Sequence, residues 1–212
     1  KGIEEETWVE DVRLGSTIEA VLDHCTDVLK GLNLQSGQVG LVGREITALI
    51  EMYLKNSLPK CTFQDFTDIH DKMRMIKCPE EISLLKEIQV IADIKFKAAM
   101  EATKIGATQY EIMAAAEYAG RVLGADHATE DLIGSAPDSS HRLVFTPTFD
   151  KVKGTEVILF EAIPFLKGYN VELIGVLVPG KASKEQIALS ELVFEAHEAG
   201  LKVAKPGVTI AE

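Results

Sequence analysis

Two segments of this chain read as the same corner. Lys104-Ile105-Gly106-Ala107-Thr108-Gln109-Tyr110-Glu111 is echoed by Lys205-Pro206-Gly207-Val208-Thr209-Ile210-Ala211-Glu212, and each follows a long stretch of helical character. The glycine suits a helix stop, because it enters the left-handed region without a Cβ penalty. A threonine with a glutamate three residues on is a capping box that starts the next helix. Such a chain is expected to be a repeat of helix, helix and strands, with its second copy just turning its first corner at Glu212. G-x-T-x-x-E is also simply good capping chemistry, so two unrelated helix junctions would look the same, and that alternative stays open.

Local patterns fill in the elements. Residues 16–31 predict an amphipathic helix with Ser16 and Glu19 as its capping box and with Ile18, Val21, Leu22, Cys25, Val28 and Leu29 on one face. Gln38–Gly43 and Thr62–Phe66 predict strands, with a helix between them at about 45–57 and a short one at Thr67–Met73. Pro79, followed by Glu80 and Glu81, suits the first turn of a long helix reaching about Lys104. Thr108 and Glu111 cap a helix to about Gly124. Val157–Ile163 and Tyr169–Val178 are apolar runs around a Leu166-Lys167-Gly168 turn and predict a hairpin. Ser183 and Gln186 cap a last long helix. The fold class is α+β: a small α/β unit over 1–76, then long helices packed on an antiparallel sheet over 77–212.

Composition removes several function classes. The net charge of −11 is spread over both parts, so no basic face is available to track phosphates, and nucleic acid is excluded as a partner. No apolar run is long enough to span a bilayer, and no membrane partner is expected. Cys25, Cys61 and Cys78 are sparse and unpaired in sequence, which argues for a reducing, cytoplasmic setting and against a structural zinc site. Cys25 is expected in the core. The chain opens at Lys1 rather than methionine, and it is expected to be part of a longer protein.

The residues then point to a family. Arg74-Met75-Ile76-Lys77-Cys78-Pro79-Glu80-Glu81-Ile82 resembles the junction between the N-terminal and catalytic domains of creatinases and Xaa-Pro peptidases. Lys104–Glu111 resembles their "pG-x-T-E-x-E" corner. Ser139-Ser140-His141 resembles the motif of their first active-site histidine. Glu161, then Gly168-Tyr169 and Glu172, resembles the "D…GY-x-x-D" hairpin that supplies the first two metal ligands. Gly180-Lys181 onward resembles the helix that follows. The resemblance runs from about residue 8 to the end. It implies the pita-bread superfamily that also includes methionine aminopeptidases, a duplicated α+β fold in agreement with the repeat. It makes 1–76 the later part of a creatinase-type N-terminal domain and 77–212 the first half of the catalytic domain. Three departures stand out: both hairpin aspartates are glutamates, the Thr-Arg after the second is Ile174-Gly175, and the remaining ligands would lie in the half not represented here.

The candidate site is therefore His141, Glu161 and Glu172. With Leu166-Lys167 taken as the hairpin centre, Glu161 faces Glu172 directly, with Cβ atoms about 4.5–5.5 Å apart. Two opposed carboxylates between apolar strands need a cation, a shared proton or a basic neighbour. The opposing readings are a different register, or both side chains pointing to solvent as ordinary surface glutamates. By the resemblance, His141 stabilises an intermediate or donates a proton to a leaving nitrogen. His24, His70, His127 and His197 are read as structural or surface residues, and Tyr169 as a packed turn aromatic. The implied activity is cleavage of a C–N bond in a small peptide, amide or amidine by an altered site that can work without metal. The alternatives are a metal-dependent Xaa-Pro dipeptidase or aminopeptidase and a catalytically silent binding protein. Glutamate is an adequate hard ligand for Mn, Co or Zn, so Glu161 and Glu172 are also the candidate metal ligands, and the cofactor is either none or one such divalent metal. Each is one methylene longer than aspartate, which shifts a site whose metals sit about 3.5–4 Å apart. A homodimer is expected, and this chain alone is expected to be inactive.

Overall fold

A computed structural model describes residues 7, 9–43, 46–126, 131–135 and 146–211. They fall into two compact units, Lys1–Lys77 and Cys78–Glu212.

The first unit is a βαβ arrangement with a flanking helix at each end. α1 (Ile18–Gly31) is capped by Thr17, whose side chain accepts from Ala20 N, so the helix starts one residue later than a Ser16 cap would set it. That cap belongs with a different buried stripe: Leu22 and Thr26 are buried, whereas Cys25 is exposed. Thr26 tolerates burial because its hydroxyl donates to Asp23 O at 2.9 Å. β1 (Gln38–Leu41) and β2 (Thr62–Asp65) are parallel, with Gln38 opposite Thr62, and α2 (Ala48–Ser57) makes the crossover that parallel strands require. Leu54 and Leu58 are buried beside this layer. Gly40 is needed on β1, since a Cβ there would meet the Phe66 ring at 2.8 Å. α3 (Thr67–Met75) ends the unit.

The second unit packs a helix pair on one face of a sheet. α4 (Pro79–Ala102) begins with Pro79 in its first turn, where its missing N–H costs nothing. α5 (Gln109–Val122) starts at the Thr108/Glu111 capping box. The sheet order is β3 (Leu132–Ser135), β4 (Ile158–Ala162), β7 (Leu173–Leu177), all antiparallel. A small ladder, β5 (Phe165–Leu166) with β6 (Tyr169–Asn170), extends the β4–β7 hairpin to its turn. Strand alternation sorts the side chains. Ile158, Phe160 and Ala162 turn inward and join Ala99, Ile112, Ala116, Ile133, Val152 and Leu177 in one core.

α6 (Lys184–Val203), with its Ser183/Gln186 capping box, contributes no buried residue among those described. None of the described helices is long and apolar enough to cross a membrane.

The two corners share a backbone. Thr103 after α4 and Ala204 after α6 have φ/ψ of −73°/88° and −70°/89°, and each donates its N–H four residues back. Gly106 and Gly207 then take φ of 90° and 96°. The first corner is held further by Gly106 N to Val152 O and Val152 N to Ala107 O, each 2.8 Å. Removing the first corner's cap by Thr108→Ala should cost about 1 kcal/mol in denaturant unfolding, the usual worth of such a cap. An unchanged unfolding midpoint would mean that the Val152 contacts alone hold the corner.

Candidate functional site

The hairpin turn decides which side chains face each other. Lys167 and Gly168 take φ of 52° and 77°, the two positive values of a two-residue type I′ turn, and glycine fills its second central position. The centre is therefore Lys167-Gly168, one residue beyond the Leu166-Lys167 expected from sequence. Leu166 pairs with Tyr169 and Phe165 with Asn170; beyond a gap, Ala162 pairs with Leu173 and Glu161 with Ile174. Glu161 thus does not oppose Glu172. By alternation the two residues are diagonal rather than directly opposed neighbours, with backbone positions about 7–8 Å apart.

Glu161 is half-buried and Glu172 exposed. Glu161 has Leu132 across from it on β3 and Ile174 on β7. Leu159, Ile174 and Val176 fall on the same face by alternation, so the acidic pair stands on an otherwise apolar surface. Burial, and secondarily the charge of Glu172, pushes the Glu161 carboxyl above the ordinary carboxylate range. A cation beside both would relieve that repulsion, and two hard oxygen donors suit a divalent metal. The described residues contain no group of three or more His, Cys, Asp or Glu side chains placed to hold a metal ion.

His141 and His127 lie outside the described residues. Of the remaining histidines, His24 Nε2 lies 3.1 Å from Leu14 O, His70 Nδ1 lies 3.8 Å from Asp71, and His197 is exposed on α6. Tyr169 does more than pack: its hydroxyl donates to Glu81 Oε1 at 2.6 Å, tying the hairpin tip to the first turn of α4.

Two further features escaped the reading of the sequence. Lys95 sits in the buried stripe of α4 with Ile88, Ile91, Ala92 and Ala99. Its ammonium lies 2.8 Å from Asp131 Oδ1 and 2.7 Å from Oδ2, and both side chains are fully buried. A lysine at a core position of a helical stripe was the available signal, since a buried cation needs a buried partner. The second feature explains Ile174-Gly175. A Cβ on Gly175 would meet Phe96 Cζ at 2.6 Å, and Phe96 in turn lies 5.8 Å from the Phe160 ring it packs against. The space that an arginine would take is filled by Phe96. Gly175→Arg should therefore destabilise by about 1–3 kcal/mol through overpacking, and Phe96→Ala should offset much of that loss in a double-mutant cycle. Simple additivity in chemical denaturation would show that Phe96 is not what excludes the side chain.

Comparison with known proteins gives a consistent set of relatives. The model of metallopeptidase family M24 matches residues 83–212. The Xaa-Pro dipeptidase of Lactobacillus helveticus is 28% identical over 162 residues, which is 76% of this chain and 44% of the relative. The creatinase of Bacillus sp. (strain B-0618) is 26% identical over 189 residues, 85% of this chain and 45% of the relative. The prolidase structure from Pyrococcus horikoshii OT3 superposes with a TM-score of 0.78 at 22% identity, covering 98% of this chain and 58% of that one. The X-Pro aminopeptidase structure from Thermotoga maritima MSB8 gives 0.77 at 23% identity, covering 94% and 55%. These structures share the fold, and the chain spans about half the length of the curated relatives it matches.

Proposed function

Because the chain belongs to metallopeptidase family M24, we propose that it is the first half of a peptidase-like hydrolase that cleaves a C–N bond in a small peptide, as the dipeptidase names of its relatives suggest. On this reading residues 1–76 are the later part of a creatinase-type N-terminal domain and 77–212 the first half of the catalytic domain. The setting is cytoplasmic and the assembly a homodimer.

The observation that carries the proposal is the diagonal Glu161/Glu172 pair on an apolar sheet face. Glu161 and Glu172 hold a divalent cation (Mn, Co or Zn), which when bound polarises the scissile carbonyl. Glu161 is half-buried, with Leu132 and the exposed Ile174 across from it, so it interacts with a charge more strongly than it would in open water. His141 donates a proton to the leaving nitrogen. A second reading, acid–base catalysis by the same carboxylates without metal, is favoured by the upward shift of Glu161: a carboxyl that keeps its proton more readily than usual is suited to general-acid work.

A melting experiment separates the readings. Because the folded-state pKa of Glu161 is raised, the native chain binds that proton more tightly than the unfolded chain. The associated stability is fully present below the ordinary carboxylate range and is lost as pH rises through the raised value. Near neutral pH and with chelator, Glu161→Gln should melt higher than wild type, by less than about 1 kcal/mol since the site is partly solvated. Under the metal reading Mn²⁺ should raise the melting temperature of wild type and leave Glu161→Gln and Glu172→Gln unmoved. Under the metal-free reading only the chelator result should appear. Identical melts for all three proteins in every condition would make both glutamates solvated surface residues.

Activity gives an independent check. Acid, base and positioning groups act as a unit, so this chain alone should turn over neither Xaa-Pro dipeptides nor small amidines. Steady-state hydrolysis by the chain alone, lost on His141→Ala, would mean that the working site is already complete within it.

A further inference from the structure

The Glu161/Glu172 pair straddles a gap in the hairpin. The ladders on either side keep one register, but Ile163-Pro164 and Val171-Glu172 belong to neither. Glu172 stands in the gap and Glu161 two residues before it, so the distance between the two carboxylates depends on how the chain is held there. Pro164 has no N–H to donate. The N–H of Ile163 lies beyond the last β3–β4 pair, Leu132 with Glu161, and is taken by a side chain: Asp131 Oδ1 accepts it at 2.8 Å.

Asp131 is itself anchored. The same Oδ1 accepts from Lys95 Nζ, and Oδ2 takes no hydrogen bond of its own among the described residues while lying in ionic contact with that ammonium. Lys95 reaches it because α5 presents no side chain in its way: a Cβ on Gly120 would meet Lys95 Cδ at 2.8 Å. α4 therefore grips the hairpin twice, at the gap through Lys95 and Asp131, and at the tip through Glu81 and Tyr169. The two grips are fourteen residues apart on the helix, about 21 Å at 1.5 Å per residue.

Resting on the reading of Glu161 and Glu172 as a cation site, we propose that Asp131 is the positioning residue of that site: through Ile163 N it sets the spacing of the two carboxylates, and Lys95 serves to keep Asp131 aimed. A buried ion pair is poor evidence for a stabilising role, since matched apolar replacements are often neutral or better. Its use here is to place an acceptor at a main-chain donor that the sheet leaves unpaired.

Two double variants isolate that bond. Lys95→Met with Asp131→Asn removes both charges and keeps an amide oxygen for Ile163 N. Lys95→Met with Asp131→Leu removes both charges and the acceptor. Mn²⁺ titration of the whole chain, followed by paramagnetic broadening of backbone amides 159–176, should give the Asn variant a Kd within about threefold of wild type. The Leu variant should bind about tenfold or more weakly, the usual effect of losing an outer-shell partner. The Leu variant should melt below the Asn variant, because it leaves a buried main-chain donor unpaired; the Mn²⁺ Kd, measured well below both melting temperatures, is the readout that a merely structural role would not move. Hydrogen exchange should show Ile163 protected in the Asn variant and unprotected in the Leu variant. Should the Leu variant not fold, Asp131→Ala in the Lys95→Met background removes the same acceptor. Equal Kd values and equal Ile163 protection in the two variants would overturn the proposal. If Mn²⁺ broadening is absent in wild type, or persists in Glu161→Gln, the cation site itself fails. Positioning is then judged by exchange at 161–172 alone: faster exchange confined to the variant lacking the acceptor supports it, and unchanged exchange overturns it.

Discussion

The buried contact between Lys95 and Asp131 joins helix to sheet in the second unit. Burying a charge without a partner costs more than a small unit can bear, so each residue requires the other. Lys95 is in the middle of α4, and Asp131 stands immediately before β3 and reaches past Glu161's strand to Ile163. Gly120 on α5 makes the room. Four elements thus meet at one ion pair, and the apolar core formed by Ala99, Ile112, Ile133 and Phe160 packs the same layers together. The apolar contacts supply most of the free energy and little direction. The ion pair and its hydrogen bond supply direction, because they are satisfied in one arrangement only.

That arrangement matters because the hairpin carries the proposed site. A one-residue change in the turn centre shifts every cross-strand partner by two, keeping faces but changing neighbours. Lys167-Gly168 at the centre puts Ile174, not Glu172, opposite Glu161. The two residues are then diagonal rather than directly opposed neighbours. The replacement of Thr-Arg by Ile174-Gly175 belongs to the same design: Phe96 occupies the inner face at Gly175, and Ile174 gives the outer face an apolar wall beside Glu161.

The repeated corner has a structural counterpart as well as a sequence one. Both copies turn with nearly the same dihedrals and the same glycine conformation. After the first corner, α5 returns along α4 and buries Ile112 and Ala116. Before the second, α6, the counterpart of α4, keeps Leu192, Val193 and Phe194 exposed, whereas α4 buries Ile88, Ile91 and Ala99. The same local grammar therefore has two outcomes, because capping chemistry directs the chain but does not bury it.

Local signals in the sequence determined the elements and the family. Pro79 at a helix start, the Thr108/Glu111 and Ser183/Gln186 boxes, and the alternation in Val157–Ile163 each act through backbone groups a few residues away, so they can be read without a partner. The same is true of Glu161 and Glu172 as members of one hairpin. What had to wait for tertiary structure was anything decided between distant segments. The burial of Thr26 rather than Cys25 depends on which stripe of α1 the neighbouring layer covers. The turn centre depends on which residues accept positive φ, and a Leu-Lys-Gly string permits two solutions until the strands pair. The bond from Ile163 to Asp131 and the ion pair behind it join residues thirty-two and thirty-six positions apart, with no periodicity linking them. Sequence patterns report what a residue does to its own helix or strand; Lys95 and Asp131 stand on separate elements, and only the packed layers bring them together.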